Sequence, residues 1–481
     1  MGVLIAGETQ NPPTMSFLHV QGREVVDEKG ETVILRGAGL GGVLNMENFI
    51  TGYPGSEHGH HASMRAVLGD SAYERFFEKF VKAFWGPDDA KFFRSLGLNC
   101  LRIPFNYRHF EDDMNPFVLK QRAFEKLDWI VDTCAKEGIY TILDLHAAPG
   151  YQNQDWHSDN PTSHAFFWEH LHFQDRTVWL WKEIAAHYKD NPWVAGYNPI
   201  NEPADPQHVR LQTFYARLVE DVRHVDDRHI LWLEGNTYAM DFSHFQEIYP
   251  NCVYACHDYS TFGFPFGKTY TGSADQRDKL RQQFQQKITF MKEHGTPVWN
   301  GEFGPVYANP IEDGPACDDI NKARIAVLEE QLKLYDEESI HWSIWLYKDI
   351  GLQGMIHVSP NSLWLKTIGE FVQKKNKLMA DAWGNRPNPQ VVSLFQKLAE
   401  WIDSNSGAQE KYPDNWSSKQ HLMRIVRNCY LSEGLQKEFA SIFQGFSDAQ
   451  LTACAESFSF ANCVQRKELN AALSRAQGQA G

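Results

Sequence analysis

The chain has 481 residues, 42% of them hydrophobic, and a formal net charge of −15. An acidic surplus of this size argues against a nucleic-acid partner or an anionic membrane surface. No apolar run approaches the ~20 residues of a membrane span, and the length exceeds the roughly 250 residues of one (β/α)8 barrel.

Residues 1–15, with Asn11-Pro-Pro-Thr, read as a disordered leader. Met1 to Gly7 lacks the basic residues and long apolar core of a signal peptide, which predicts a cytoplasmic protein. The eight cysteines are scattered without a CxxC pair, as expected of reduced thiols, although Cys454 and Cys463 flank a helical segment and have the alternative of pairing. Residues 18–33 alternate apolar and polar side chains and predict a hairpin turning at Asp27–Gly30.

From Val33 onward, short apolar runs alternate with helical patterns. The runs are Val33–Gly39, Asn99–Phe105, Tyr140–His146, Trp193–Asn198, His229–Glu234, Cys252–His257, Val298–Glu302 and His341–Tyr347. Near-continuous apolarity fits strands buried on both faces. Helical spacing lies between them over 73–84, 123–136, 177–189, 211–224, 279–294 and 322–337. Eight strand–helix alternations predict an α/β chain folded as a (β/α)8 TIM barrel over residues 16–407. It carries a short N-terminal β-hairpin, and residues 408–481 form a helical C-terminal extension. Residues 40–70 and 147–176 read as long loops of the length that carries function.

A pair of glutamates stands where two of these runs surface into loops. Glu202 follows Asn198-Pro-Ile-Asn201, and Glu302 closes Val298-Trp-Asn-Gly301. Two carboxylates across one cleft are what cleavage of a glycosidic bond needs, one to protonate the leaving oxygen and one to attack the sugar carbon. Arg102, His146, Asn201, His257, Tyr259 and Trp345 fall at the same ends of other runs. Active sites of such barrels sit at that face. Each residue alone has a structural reading as a strand-end cap, core ion pair or packed ring; their joint placement does not.

These residues lie in Leu101-Arg-Ile-Pro-Phe-Asn106, Leu143-Asp-Leu-His146, Asn198-Pro-Ile-Asn-Glu-Pro203, His257-Asp-Tyr259 and Gly301-Glu-Phe-Gly304, followed by Trp345. In this order, the chain resembles glycoside hydrolase family 5 over residues 18–405. The resemblance implies that Glu202 is the general acid and then the general base, with a raised pKa, and that Glu302 is the nucleophile. It implies that Asn201 donates to the sugar 2-hydroxyl and that Arg102 and Tyr259 hold Glu302 ionised and aimed. His146 and His257 would line the subsite of the cleaved sugar, above a platform at Trp345.

Leu40-Gly-Gly-Val-Leu-Asn-Met-Glu47 resembles an element of the family's fungal exo-β-1,3-glucanases, with Val43 where that element has tryptophan. There the glutamate closes the cleft into a pocket. Glu47 by that analogy marks an exo-acting enzyme releasing glucose from a β-linked oligosaccharide, glucan or glucoside with an apolar aglycone. The alternatives are an endo-β-glucanase, a β-mannosidase, a glucolipid hydrolase acting on glucosylceramide or steryl glucoside, and a catalytically silent glycan-binding barrel. The aromatics of 151–168 and 262–266 are candidates for an aglycone site or for mutual packing. The chemistry calls for no metal or cofactor, and His58-Gly-His-His61, His164, His170 and His172 read as exposed loop residues.

Overall fold

The computed structural model describes residues 16–476 except 382, 385 and 407–410. The leader expected over 1–15 lies outside the described residues.

The eight runs form the eight strands of a closed barrel. They are Arg36–Gly39, Cys100–Asn106, Tyr140–Ala147, Val194–Asn198, Ile230–Glu234, Cys252–His257, Val298–Glu302 and His341–Ile344. Each pairs in parallel with the next, and the eighth closes on the first with Trp342 beside Arg36. Helices wrap the outside. Asp70–Phe84 turns Tyr73, Phe76, Phe77, Phe80, Val81 and Phe84 inward, the spacing of a one-faced helix. Inside the barrel, Trp232 and Trp299 meet edge to face at 5.3 Å, in a cluster with Ile142, Val253 and Ala255. The N-terminal hairpin adds Leu18 and Val25 to that cluster beside Cys100 and Tyr140, at the starts of the strands.

The hairpin differs from expectation in its turn. Strands His19–Gln21 and Glu24–Val26 pair through Gly22, whose φ of +61° suits a glycine. The Asp27–Gly30 turn follows it and leads into a single bridge between Val26 and Thr32. The segment 40–70 is not a loop. It holds helices Asn48–Thr51 and Glu57–Leu68. The His58–His61 motif therefore lies on a helix, with His60 2% exposed and stacked on Tyr53 at 4.3 Å. Three histidines among small and charged residues hide the apolar stripe that would have marked this helix.

The C-terminal extension is helical over Ser418–Ile425, Ser432–Ser441, Asp448–Glu456 and Lys467–Arg475. It also contributes a strand, Cys463–Gln465, antiparallel to Ile356–Val358. Its aromatics enter the barrel's apolar core. Phe439 meets His60 at 5.5 Å, Phe443 stacks on Trp364 at 5.5 Å, and Phe458 lies 5.0 Å from Phe80 and 5.5 Å from Phe84. All eight cysteines are free, and the Cys463 thiol points at the Ser457 and Phe458 carbonyls.

Phe458 is fully buried. We expect Phe458→Ala to lower the unfolding free energy by about 3–5 kcal/mol, read from a urea titration. A value within ~0.5 kcal/mol of the parent protein would show that the extension only rests on the barrel.

Candidate active site

The C-terminal ends of the strands bring the expected residues to one place. Glu47, His146, Glu202, His257, Tyr259, Glu302 and Trp345 line a cavity of about 250 Å³. Arg102 and Asn201 lie beneath them, both 0% exposed.

Arg102 is the centre of the floor. Its guanidinium donates Nη1 to Glu302 Oε1, and Nη2 to Asn201 Oδ1 at 2.6 Å and Asn198 Oδ1 at 3.2 Å. Asp144 Oδ2 and Glu234 Oε1 each stand 3.1 Å from the same Nη2. Burial opposes its charge, but Asp144, Glu302 and Glu234 outweigh burial and raise its pKa. Tyr259 completes the setting of Glu302, donating its hydroxyl to Oε2 at 2.9 Å.

Glu202 has a different surrounding. Its backbone takes a φ of +45°, uncommon for a residue with a Cβ. Its N–H donates to Glu234 Oε2 at 2.7 Å. One carboxyl oxygen lies 2.7 Å from His257 Nδ1 and the other 3.1 Å from His157 Nε2. The sequence reading expects a raised pKa at Glu202. Burial does push it up, but His157 and His257 outweigh burial and hold it well below the usual carboxylate range. The balancing proton rests on the imidazoles. Burial lowers the His257 pKa, yet Glu302, Glu234 and Glu202 lift it to about 10. His157 is raised in the same way, mainly by Glu202. Glu202 and His257 thus share one proton along a 2.7 Å contact and titrate as a pair.

On the other side of the cavity, His146 Nδ1 meets Asp144 at 2.8 Å and Nε2 faces Glu47 at 3.6 Å. Burial opposes its charge, but Asp144 and Glu47 raise its pKa to about 10. Burial raises the pKa of Glu47 despite the two histidines near it. Trp345 forms the base, its ring parallel to His146 at 5.4 Å. Gly41 makes room for it, since a Cβ there would sit 2.8 Å from the indole.

One oxygen of Glu202 and one of Glu302 lie within 4.8 Å of each other. A retaining glycosidase needs carboxyls ~5–5.5 Å apart and an inverting one ~6.5–9.5 Å, so the observed gap fits double displacement. His257 lies within the same distance of both. His208, Asp241 and His244 are the second group of converging donors among the described residues. A larger cavity of about 680 Å³, lined by His58, His61 and Lys126, contains neither glutamate.

Sequence reasoning passed over Asp144, Glu234, His157 and Asn198. Glu234 carried a signal, because it ends an apolar run just as Glu302 does. His157 carried none; it reaches Glu202 only through the folding of residues 147–176. Of the loop aromatics considered for an aglycone site, Trp156 lines the cavity, whereas Phe167, Trp168, Phe262 and Phe264 are buried by packing.

The chain matches the family Cellulase (glycosyl hydrolase family 5) over residues 72–351, more than half its length. It is 50% identical over 466 residues to a beta-xylosidase from Phanerodontia chrysosporium, covering 95% of this chain and 98% of that one. It is 25% identical over 395 residues to a probable glucan 1,3-beta-glucosidase A from Neosartorya fischeri, covering 73% and 90%. A crystal structure of an endogalactoceramidase superposes with a TM-score of 0.48 at 17% identity, covering 69% of this chain and 75% of that one.

Removing the central cation tests the floor. Arg102→Met leaves Asp144, Glu234 and Glu302 facing one another, and we expect a loss of about 3–5 kcal/mol. The crowded carboxylates then bind protons more tightly folded than unfolded. The loss is therefore larger at pH 8 than at pH 5, measured by chemical denaturation. A loss independent of pH would remove the electrostatic explanation.

Proposed function

The chain belongs to glycosyl hydrolase family 5 and is a glycoside hydrolase; from that premise we propose an exo-acting, retaining β-glycosidase that releases one sugar per turnover. The observation that carries the reading is the Glu202–Glu302 gap inside a cavity of about 250 Å³ walled by Glu47. Pockets for drug-sized ligands run ~300–1,000 Å³, and an open cleft for a long glucan is larger still. We name xylose as the sugar ahead of the glucose expected from sequence, because the relative with 50% identity is described as a beta-xylosidase. The eight unpaired thiols support a reducing compartment such as the cytoplasm.

In the proposed mechanism, Glu302 attacks the anomeric carbon while Glu202 gives a proton to the glycosidic oxygen. The bond between carbon and oxygen breaks, the aglycone leaves as an alcohol, and the sugar is held as an ester of Glu302. Glu202, now a carboxylate, takes a proton from water. The hydroxide oxygen bonds the anomeric carbon, the ester breaks, and the sugar departs with its configuration retained. The proton for the first step comes from the pair formed by Glu202 and His257. Transfer along their hydrogen bond places it on the carboxyl when the leaving oxygen arrives. Arg102 and Tyr259 position Glu302, Asn201 meets the sugar 2-hydroxyl, and His146, Glu47 and Trp345 hold the ring.

Glu302→Gln abolishes turnover of aryl β-xylosides and β-glucosides in this account, and the intact enzyme releases only monosaccharide from β-linked oligosaccharides. Long products in a chromatographic digest would overturn exo-action. Glu202→Gln slows substrates with poor leaving groups by about 10²–10⁴-fold, but slows a dinitrophenyl glycoside much less.

The shared proton makes a separate demand on pH dependence. In the parent enzyme the pair loses its proton near the His257 value of about 10. In His257→Asn that partner is gone, and only His157 remains to share the proton with Glu202. The alkaline limb of kcat/KM then moves to lower pH by more than a unit. A limb that keeps its position while the rate falls would show that His257 only positions Glu202.

A further inference from the structure

The cavity has a wall that does not come from the barrel. Trp416 and Arg424, both from the C-terminal extension, line it together with Trp156, Tyr238 and Met240. This wall stands on the Glu202 side. The Tyr238 N–H donates to the carbonyl of Pro203, the residue after Glu202, at 3.1 Å. The Tyr238 ring lies 6.2 Å from His157, which contacts Glu202. Glu202 protonates the oxygen of the departing group, so whatever lies beyond Glu202 faces that group.

The wall is fixed in place by the extension. Trp416 packs on Tyr238 at 5.3 Å, and the Arg424 guanidinium lies 3.4 Å from the centre of the Trp416 ring. Arg424 Nε meets both oxygens of Asp155, at 3.0 and 3.1 Å, two residues before His157. The Tyr412 hydroxyl reaches Thr237 at 2.9 Å, and Asn428 reaches the Gln154 carbonyl at 3.4 Å. The extension thus grips both loops that flank Glu202.

We infer that the C-terminal extension builds the leaving-group subsite, with Trp416, Tyr238 and Met240 forming an apolar wall for an uncharged, ring-shaped aglycone. An aryl group or a second pyranose presents such a face, and aromatic side chains are suited to it. The Arg424 charge is met by Asp155, so the wall offers no cation to an anionic aglycone. Met240, 41% exposed, is the most open part of the wall. The inference rests on the glycosidase reading above and assigns the specificity of that site.

The test compares two leaving groups in one enzyme. A β-glycosyl fluoride has the same sugar but no aglycone to touch the wall. An aryl β-glycoside and a β-linked disaccharide both have one. Trp416→Ala lowers kcat/KM about tenfold for the aryl glycoside and the disaccharide, on the scale of a lost aromatic contact, and leaves the fluoride unchanged. Trp416→Phe recovers part of the loss. Met240→Ala gives the same split without disturbing Arg424, and decides the matter if Trp416→Ala does not fold.

A parallel fall for the fluoride in both variants would overturn the subsite, because the wall would then act only by supporting the catalytic loops. Unchanged rates on all substrates would overturn it as well. If the parent protein hydrolyses neither the fluoride nor the aryl glycoside, the glycosidase reading itself has failed.

Discussion

The site depends on one buried cation. Arg102 projects from the second barrel strand into a space ringed by Asp144, Glu234 and Glu302. Three carboxylates cannot share a dry floor without a positive charge among them, and a guanidinium has donors enough to serve all three. The arrangement does more than neutralise charge. It aims Glu302 through one nitrogen and fixes Asn201 through the other. Through Glu234, which also accepts the Glu202 N–H, it sets the backbone carrying the second glutamate. Both glutamates are thereby referred to a single rigid group rather than to mobile loops.

Around that floor, charge is divided unevenly. Glu302 receives a permanent cation and a phenol, groups that give it no proton at neutral pH. Glu202 receives two histidines, groups that can hand over a proton and take it back. Glu302 ends the seventh strand and Glu202 lies just beyond the fourth; both reach the same cavity, yet their partners fit them for different steps. A glutamate that shares its proton with an imidazole suits a residue that must act as acid in one step and base in the next.

Much of this was readable in the sequence because barrel strands are apolar on both faces. A charged residue at the end of such a run, as at Glu202 and Glu302, has few places to point except the mouth. Arg102 was visible as a charge inside such a run, within Cys100–Asn106. Glu234 obeyed the same pattern and went unnamed only because its partners are other side chains in the floor. The parts that escaped depend on chain-distant contacts. His157 finds Glu202 across a long irregular segment, and the helix at 57–68 has too few apolar residues to show a stripe. The helices of the C-terminal extension were legible, though not its strand Cys463–Gln465, and nothing in their spacing says that Phe439, Phe443 and Phe458 enter the barrel's core or that Trp416 and Arg424 reach its mouth.

The account turns on a covalent bond between Glu302 and the sugar. Incubating the protein with a 2-deoxy-2-fluoro-β-glycosyl fluoride, which forms the glycosyl-enzyme and slows its breakdown, traps that bond for peptide mass spectrometry. A single added sugar on the peptide carrying Glu302, absent in Glu302→Gln, is the predicted result. A label on Glu202 or on any other residue, or substrate turnover with inverted configuration and no label, would contradict it.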